Sequence, residues 1–126
     1  MKNFEFLKKF FGNYSKYFKL PEFHSNIKTA WLAFPLVIKK NNKFNRRQLQ
    51  IFFEKNMIQT RTIFTGNILK QPIMKNLKFK KHIKSELISN DVMENGILIG
   101  CHQGLHLKDL INIKKIFNKF AKYKSL

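Results

Sequence analysis

The chemistry-bearing residues of this chain gather at two places. One is Cys101-His102-Gln103, with His106 close behind; the other is Arg61, followed by the turn Thr65-Gly66-Asn67. A cysteine beside a histidine suggests a nucleophile with its base, or a pair of metal ligands. Geometry argues against both. Neighbouring residues on a strand point to opposite faces, so Cys101 and His102 do not converge on one ion. The chain has a single cysteine, too few for an ordinary zinc set even with His106 added. Cys101 therefore reads as a buried strand residue, and no metal ligand and no catalytic residue is assigned. The seven acidic residues give no pair of carboxylates that spacing brings together. No Ser-His-Asp set, P-loop or dinucleotide fingerprint is present. His24 and His82 read as loop residues.

Around the second place, Thr60 to Phe64 is rich in β-branched and aromatic residues, which suit a half-buried pleated surface. Gly66 and Asn67 both tolerate positive φ and allow a sharp turn. Pro72 closes the segment and restricts Gln71 to extended backbone. A turn carried on a rigid strand is where binding groups tend to sit. Two readings stand for each residue. Asn67 holds a left-handed turn or contacts a ligand. Arg61 braces the domain through an internal ion pair, or its guanidinium receives a carboxylate or phosphate.

The elements that must position these groups follow from periodicity. Phe4, Leu7, Phe11, Tyr14 and Phe18 recur at helical spacing, predicting a helix from about Asn3 to Tyr17. Gly12 inside it costs about 1 kcal/mol relative to alanine. Leu20 to Phe23 is extended and residues 24–28 form a polar loop. Trp31 to Lys39 reads as a strand, with Pro35 marking an edge or bulge. Asn45 caps the next helix and Gln48 completes its capping box; Leu49, Phe52 and Phe53 form its buried stripe, and Asn56-Met57 ends it. Gln59 to Phe64 is a second strand. Lys75 to Lys84 reads as a loop. Ser89 caps a short helix through Glu94, with Gly96 as its left-handed stop. Ile97 to Cys101 is a third strand. Leu107 to Tyr123 forms a last helix whose apolar face is Leu110, Ile113, Phe117, Phe120 and Ala121. The pattern is an α+β domain: a three-stranded, mostly antiparallel sheet covered by helices.

Bulk properties narrow the class. At 126 residues the chain is of single-domain size. Its 25 basic and seven acidic residues give a net charge of +18, which ordinarily signals nucleic acid or an anionic surface. The charge is nearly all lysine, with only Arg46, Arg47 and Arg61 as guanidinium groups, whereas base readout favours arginine. A bias toward A- and T-rich codons, visible in the abundance of Asn, Ile and Phe, accounts for the charge as well as a selected electrostatic role does. No apolar run reaches the roughly 20 residues that span a bilayer, no signal peptide is visible, and one cysteine fits a reducing compartment. The expectation is a soluble, cytoplasmic protein.

Four segments, in order, resemble the DegT/DnrJ-type sugar aminotransferase and dehydrase family, within it the CDP-4-keto-6-deoxyglucose 3-dehydrase branch of lipopolysaccharide biosynthesis. They are Trp31-Leu32-Ala33-Phe34-Pro35-Leu36; Asn45-Arg46-Arg47-Gln48-Leu49; Thr60-Arg61 with Gly66-Asn67-Ile68-Leu69-Lys70-Gln71-Pro72; and Asn95 to Leu105. The likeness runs from about Asn3 to about Phe120. It implies the small C-terminal domain of a fold-type I enzyme that uses pyridoxal phosphate or pyridoxamine phosphate on a nucleotide-linked deoxysugar. It also implies that residues 1–126 form one domain and that the cofactor anchors and catalytic groups lie in a preceding large domain that no segment here resembles. The expected entity is a fragment, a split-gene product or one part of an assembly. It is inactive alone and partnered by a large-domain chain or a second copy. Arg61, Thr65, Asn67, His102 and Gln103 are the candidate substrate-lining residues. Small basic nucleic-acid binding is the alternative. The family's usual Ser or Thr cap on the last helix is His106 here, a change expected to weaken the helix start by about 1 kcal/mol.

Overall fold

The computed structural model describes residues 2–22, 24, 26, 29–64, 66–78 and 83–126, with side chains of 83–86 left aside. Thr65, His82 and parts of the 23–28 and 75–84 segments therefore lie outside the described residues.

The chain runs α1 (Lys2–Gly12), β1 (Phe18–Lys19), β2 (Ala33–Ile38), α2 (Arg46–Lys55), β3 (Thr60–Thr62), two 3₁₀ turns (Ile68–Lys70 and Pro72–Asn76), α3 (Ile83–Asn95), β4 (Gly96–Gly100) and α4 (Leu107–Lys124). The sheet order is β1-β2-β4-β3, and every pair is antiparallel. The α+β architecture is as expected, with four strands in place of three. The extra strand is β1, where Phe18 pairs with Ile38 and Lys19 with Val37. Phe18 had matched the helical spacing of Phe4 to Tyr14. The helix ends at Gly12 instead, so that glycine is terminal and its interior cost falls away.

Strand alternation builds the core. Phe34, Leu36 and Ile38 on β2 and Ile97 and Ile99 on β4 are buried, while Ala33, Pro35, Val37 and Leu98 are half-buried. The buried face receives Phe4, Leu7, Phe10 and Phe11 from α1, Leu49 and Phe53 from α2, and the α4 stripe Leu110, Ile113, Phe117, Phe120 and Ala121. Phe117 is the hub: its ring lies 5.0 Å from Phe11, 4.8 Å from Tyr14, 5.7 Å from Phe18 and 6.3 Å from Phe53. Such edge and tilted contacts add to the burial energy of the rings themselves.

The opposite face is met by α3. Lys19 points away from buried Phe18, and its Nζ lies 2.6 Å from the Asp91 carboxylate on α3. The hydrogen bonds from Lys19 and then Asn95 hold the Asp91 carboxyl below its ordinary range. Arg46, at the start of α2, donates to the carbonyls of Met93 at 2.9 Å and Gly96 at 3.5 Å. A guanidinium at the C-terminal end of α3 suits the helix dipole.

Pro35 sits in a strand with two neighbours, yet β1 reaches only as far as Val37. Beyond that point β2 has β4 alone beside it, so the missing N–H costs no ladder bond. The Asn45 capping box is present as expected, with Asn45 Oδ1 accepting from the Gln48 N–H and Gln48 Oε1 from the Asn45 N–H. The strand expected over Gln59–Phe64 contracts to Thr60–Thr62. Its first residue is tied to α2: the Thr60 N–H and hydroxyl both donate to Glu54 Oε1 at 2.6 Å. Those bonds, hydroxyl first, hold the Glu54 carboxyl low.

Three sequence expectations fail around α3. The helix begins at Ile83 and not at Ser89, and the loop expected over Lys75–Lys84 contains the end of one 3₁₀ turn and the start of α3. Gly96 is the first residue of β4, not a left-handed stop. Its glycine is required by crowding: a Cβ there would lie 2.4 Å from the Val92 carbonyl oxygen and 2.7 Å from Ile63 Cδ1. No helix of the described residues is long and apolar enough to cross a membrane.

Candidate functional site

β3 and β4 run antiparallel, with Thr60 opposite Ile99 and Arg61 opposite Leu98. The start of β3 therefore lies beside the end of β4, and this brings Arg61 and His102 together. Both line one depression of about 490 Å³, floored by Leu32, Leu98 and Leu105 and closed on one side by Asp109 and Asn112 of α4.

Each polar group there is held differently. Arg61 is exposed and makes no hydrogen bond or ion pair among the described residues. The Glu54 carboxyl feels the Arg61 guanidinium, but less than it feels the hydrogen bonds from Thr60. Among the described residues the internal ion pair considered for Arg61 is not formed, and its guanidinium is exposed. His102 is fixed by its surroundings. Its Nδ1 accepts from the Gly104 N–H at 3.2 Å, and its carbonyl accepts from the Asn3 side chain at 2.8 Å and the Leu105 N–H at 3.1 Å. With Nδ1 accepting, a neutral ring carries its proton on Nε2 as a donor. Asp109 is already engaged, accepting from the His106 N–H at 2.8 Å. That bond is the reciprocal half of a capping box and satisfies the N–H of the cap residue itself. The depression thus offers a guanidinium without an ion pair among the described residues and an imidazole donor over an apolar floor, a combination suited to an anionic ligand with a half-apolar body.

The other candidates separate from this pair. Asn67 is 3% exposed, with its Oδ1 accepting from the Leu69 N–H and its Nδ2 donating to Asn90, each at 2.9 Å. Its φ is −83°; among the described residues of the turn the left-handed ones are Phe64, at φ 45°, and Gly66, at φ 67°, where a Cβ would meet Met93 Cγ at 2.2 Å. Both amide atoms of Asn67 are thus engaged, Oδ1 in capping the 3₁₀ turn and Nδ2 in joining it to α3. Gln103 is exposed in the turn after β4 and does not line the depression. Thr65 is outside the described residues. Cys101 is buried, its Sγ donating to the Trp31 carbonyl at 3.4 Å, and burial pushes its thiol up to about 11. Among the described residues no three His, Cys, Asp or Glu gather as metal ligands would.

Sequence reading missed Asn3, Asp109 and Asn112. Asn3 works from 99 residues away, beyond any spacing rule. Asp109 had a local signal, an acidic residue three positions after the helix cap.

The family model for DegT/DnrJ/EryC1/StrS aminotransferases matches residues 1–118. The lipopolysaccharide biosynthesis protein RfbH of Salmonella typhimurium is 30% identical over 119 residues, which is 94% of this chain and 27% of that protein. Among solved structures, an E. coli GDP-4-keto-6-deoxy-D-mannose-3-dehydratase with bound hydrated PLP superposes with a TM-score of 0.74 at 24% identity, over 91% of this chain and 29% of its own. A DegT DnrJ EryC1 StrS aminotransferase from Brucella abortus gives 0.72 at 14% identity, over 94% and 30%. At these identities the structural likeness is one of fold, and the chain spans less than a third of the length of each relative. The breadth of the family match, over 118 of 126 residues, decides the assignment: the chain belongs to the DegT/DnrJ/EryC1/StrS aminotransferase family.

Proposed function

We propose that this chain serves as the small C-terminal domain of a pyridoxal-phosphate-dependent nucleotide-sugar 3-dehydrase or aminotransferase of lipopolysaccharide biosynthesis, working in the cytoplasm. The observation that carries the reading is the match of 94% of the chain to RfbH. In this role it forms one wall of the active site. Arg61 and His102 turn a guanidinium and an Nε2–H toward the nucleotide-linked deoxysugar, Arg61 receiving its phosphate charge and His102 orienting a hydroxyl or carbonyl. Thr65 and Gln103 are the further candidate substrate contacts, and Asn67 fixes the turn between β3 and α3. The cofactor-bearing body is a separate large-domain chain or further sequence joined to this one; a second copy of the chain is a further partner of that assembly.

Pyridoxal phosphate does not fit the depression as a resident group. No lysine lines it, so these residues offer no amine to an aldehyde cofactor; the body holds pyridoxal or pyridoxamine phosphate and supplies its covalent chemistry. The chain by itself has no turnover in this reading. The test adds pyridoxal phosphate to the purified chain and follows the visible Schiff-base band, then titrates a nucleotide deoxysugar by calorimetry with and without Arg61→Ala. The expected result is no site-specific band, with weak sugar-nucleotide binding that the substitution abolishes. A robust stoichiometric band refutes the claim that the chain is empty of cofactor chemistry.

Nucleic-acid binding is the second reading, supported by the net charge of +18. It predicts a steep loss of affinity with salt, and a retardation assay without a shift at low salt removes it.

A further inference from the structure

The outer side of the helical layer carries a groove that the proposed active-site wall does not use. It lies between α2 and α4 and has a volume of about 400 Å³. Phe52 and Phe120, whose ring centroids are 5.2 Å apart, form its floor. Ile51 and Tyr123 rise from the two helices as its walls and are 44% and 75% exposed. Lys55 and Lys124 stand on the rim, with Lys124 Nζ 5.2 Å from the Tyr123 ring.

Charge identifies the occupant. α2 and α4 carry nine basic residues and two acidic ones, Glu54 and Asp109. Both carboxylates are already engaged, Glu54 by Thr60 and Asp109 by the His106 N–H. Neither rim lysine has a carboxylate partner among the described residues. A second copy of the chain, at +18, meets this surface with like charge. A nucleic acid finds lysines but also an apolar trough that phosphates and ribose do not fill. An acidic helix satisfies both features, placing an apolar stripe in the trough and carboxylates against the lysines, the helix-in-groove mode.

We propose that the α2–α4 groove is a docking site for an acidic amphipathic helix of a partner protein. The partner lays apolar side chains between Ile51 and Tyr123 and pairs its carboxylates with Lys55 and Lys124.

The test uses the full chain and three labelled probes: a synthetic helical peptide of about four turns with Leu and Phe on one face and Glu on the other, the same peptide with every Glu replaced by Gln, and a single-stranded oligonucleotide. Anisotropy should show saturable binding of the acidic peptide, at least about tenfold tighter than the Gln peptide at low salt. Ile51→Glu and Tyr123→Ala should each weaken it about tenfold or more, while Leu87→Glu, on the exposed surface of α3, should not. Circular dichroism confirms that the variants fold; if Ile51→Glu does not, Lys55→Glu with Lys124→Glu carries the same test. Four outcomes overturn the proposal: no binding, equal binding of the Gln peptide, competition by the oligonucleotide with equal affinity, or a concentration-dependent dimer that Ile51→Glu abolishes.

Discussion

The side-chain amide of Asn3, in the first turn of α1, donates to the carbonyl oxygen of His102 at 2.8 Å and to that of Leu105 at 3.1 Å. One residue near the beginning of the chain thereby clamps both ends of the turn that carries His102, and the candidate site depends on the placement of α1. Asn3→Ala should destabilise the domain by about 1 kcal/mol. It should also speed amide hydrogen exchange at Gly104 and Leu105 more than at Ile97 and Ile99. Uniform acceleration across all four amides contradicts the clamp.

The end of α2 carries a cost of the opposite kind. The Ile58 N–H bonds to the Phe53 carbonyl and the Met57 N–H to that of Glu54, the paired pattern of a helix closing through a left-handed residue. That residue is Met57, at φ 60° and 93% exposed, where L side chains are disfavoured by roughly 1–2 kcal/mol. Its side chain gains little from burial. Met57→Gly should stabilise the fold by about 0.5–1 kcal/mol after the extra chain entropy of glycine is subtracted, read from urea midpoints at unchanged m-value.

Cys101 gives a pH dependence whose sign follows from burial. Its thiol is raised from 9.0 to about 11 in the fold, so the unfolded chain loses this proton first. The folded state keeps the full benefit below the unfolded value and loses it progressively as pH rises from about 9 toward 11. Native protein at pH 8 should react slowly with a thiol reagent, at a rate that rises with urea. Cys101→Ala should flatten the alkaline limb of the stability profile. Rapid labelling of the native protein contradicts the burial of this thiol.

What the sequence made legible divides along the range of the interactions. Asn45 with Gln48, the α4 stripe from Leu110 to Ala121 and the alternation of Phe34, Leu36 and Ile38 are local patterns, and each survives in the structure. Phe18 was misread because a two-residue strand has no periodicity of its own; its pairing with Ile38 is set 20 residues downstream. Gly96 looked like a helix stop because a crowded glycine and a left-handed one are identical in sequence. Contact with Val92 and Ile63 distinguishes them. For the site, Arg61 is legible from its residue type beside a strand and turn and His102 from the resemblance, and nothing in their spacing places them in one depression. Antiparallel pairing of β3 with β4 does that. Asn67 is legible from the turn it occupies, and only the bonds to Leu69 and Asn90 show that its amide is occupied.

The central question is whether this chain completes a cofactor-bearing body. The decisive measurement replaces the segment of RfbH that matches this chain with the chain itself and assays turnover of the nucleotide sugar by the purified chimera. The predicted result is a chimera that carries the pyridoxal phosphate band and turns over substrate, with Arg61→Ala lowering turnover at least about tenfold while leaving the band intact. A chimera that folds and carries the band but has no turnover, or one whose turnover is indifferent to Arg61, contradicts the account.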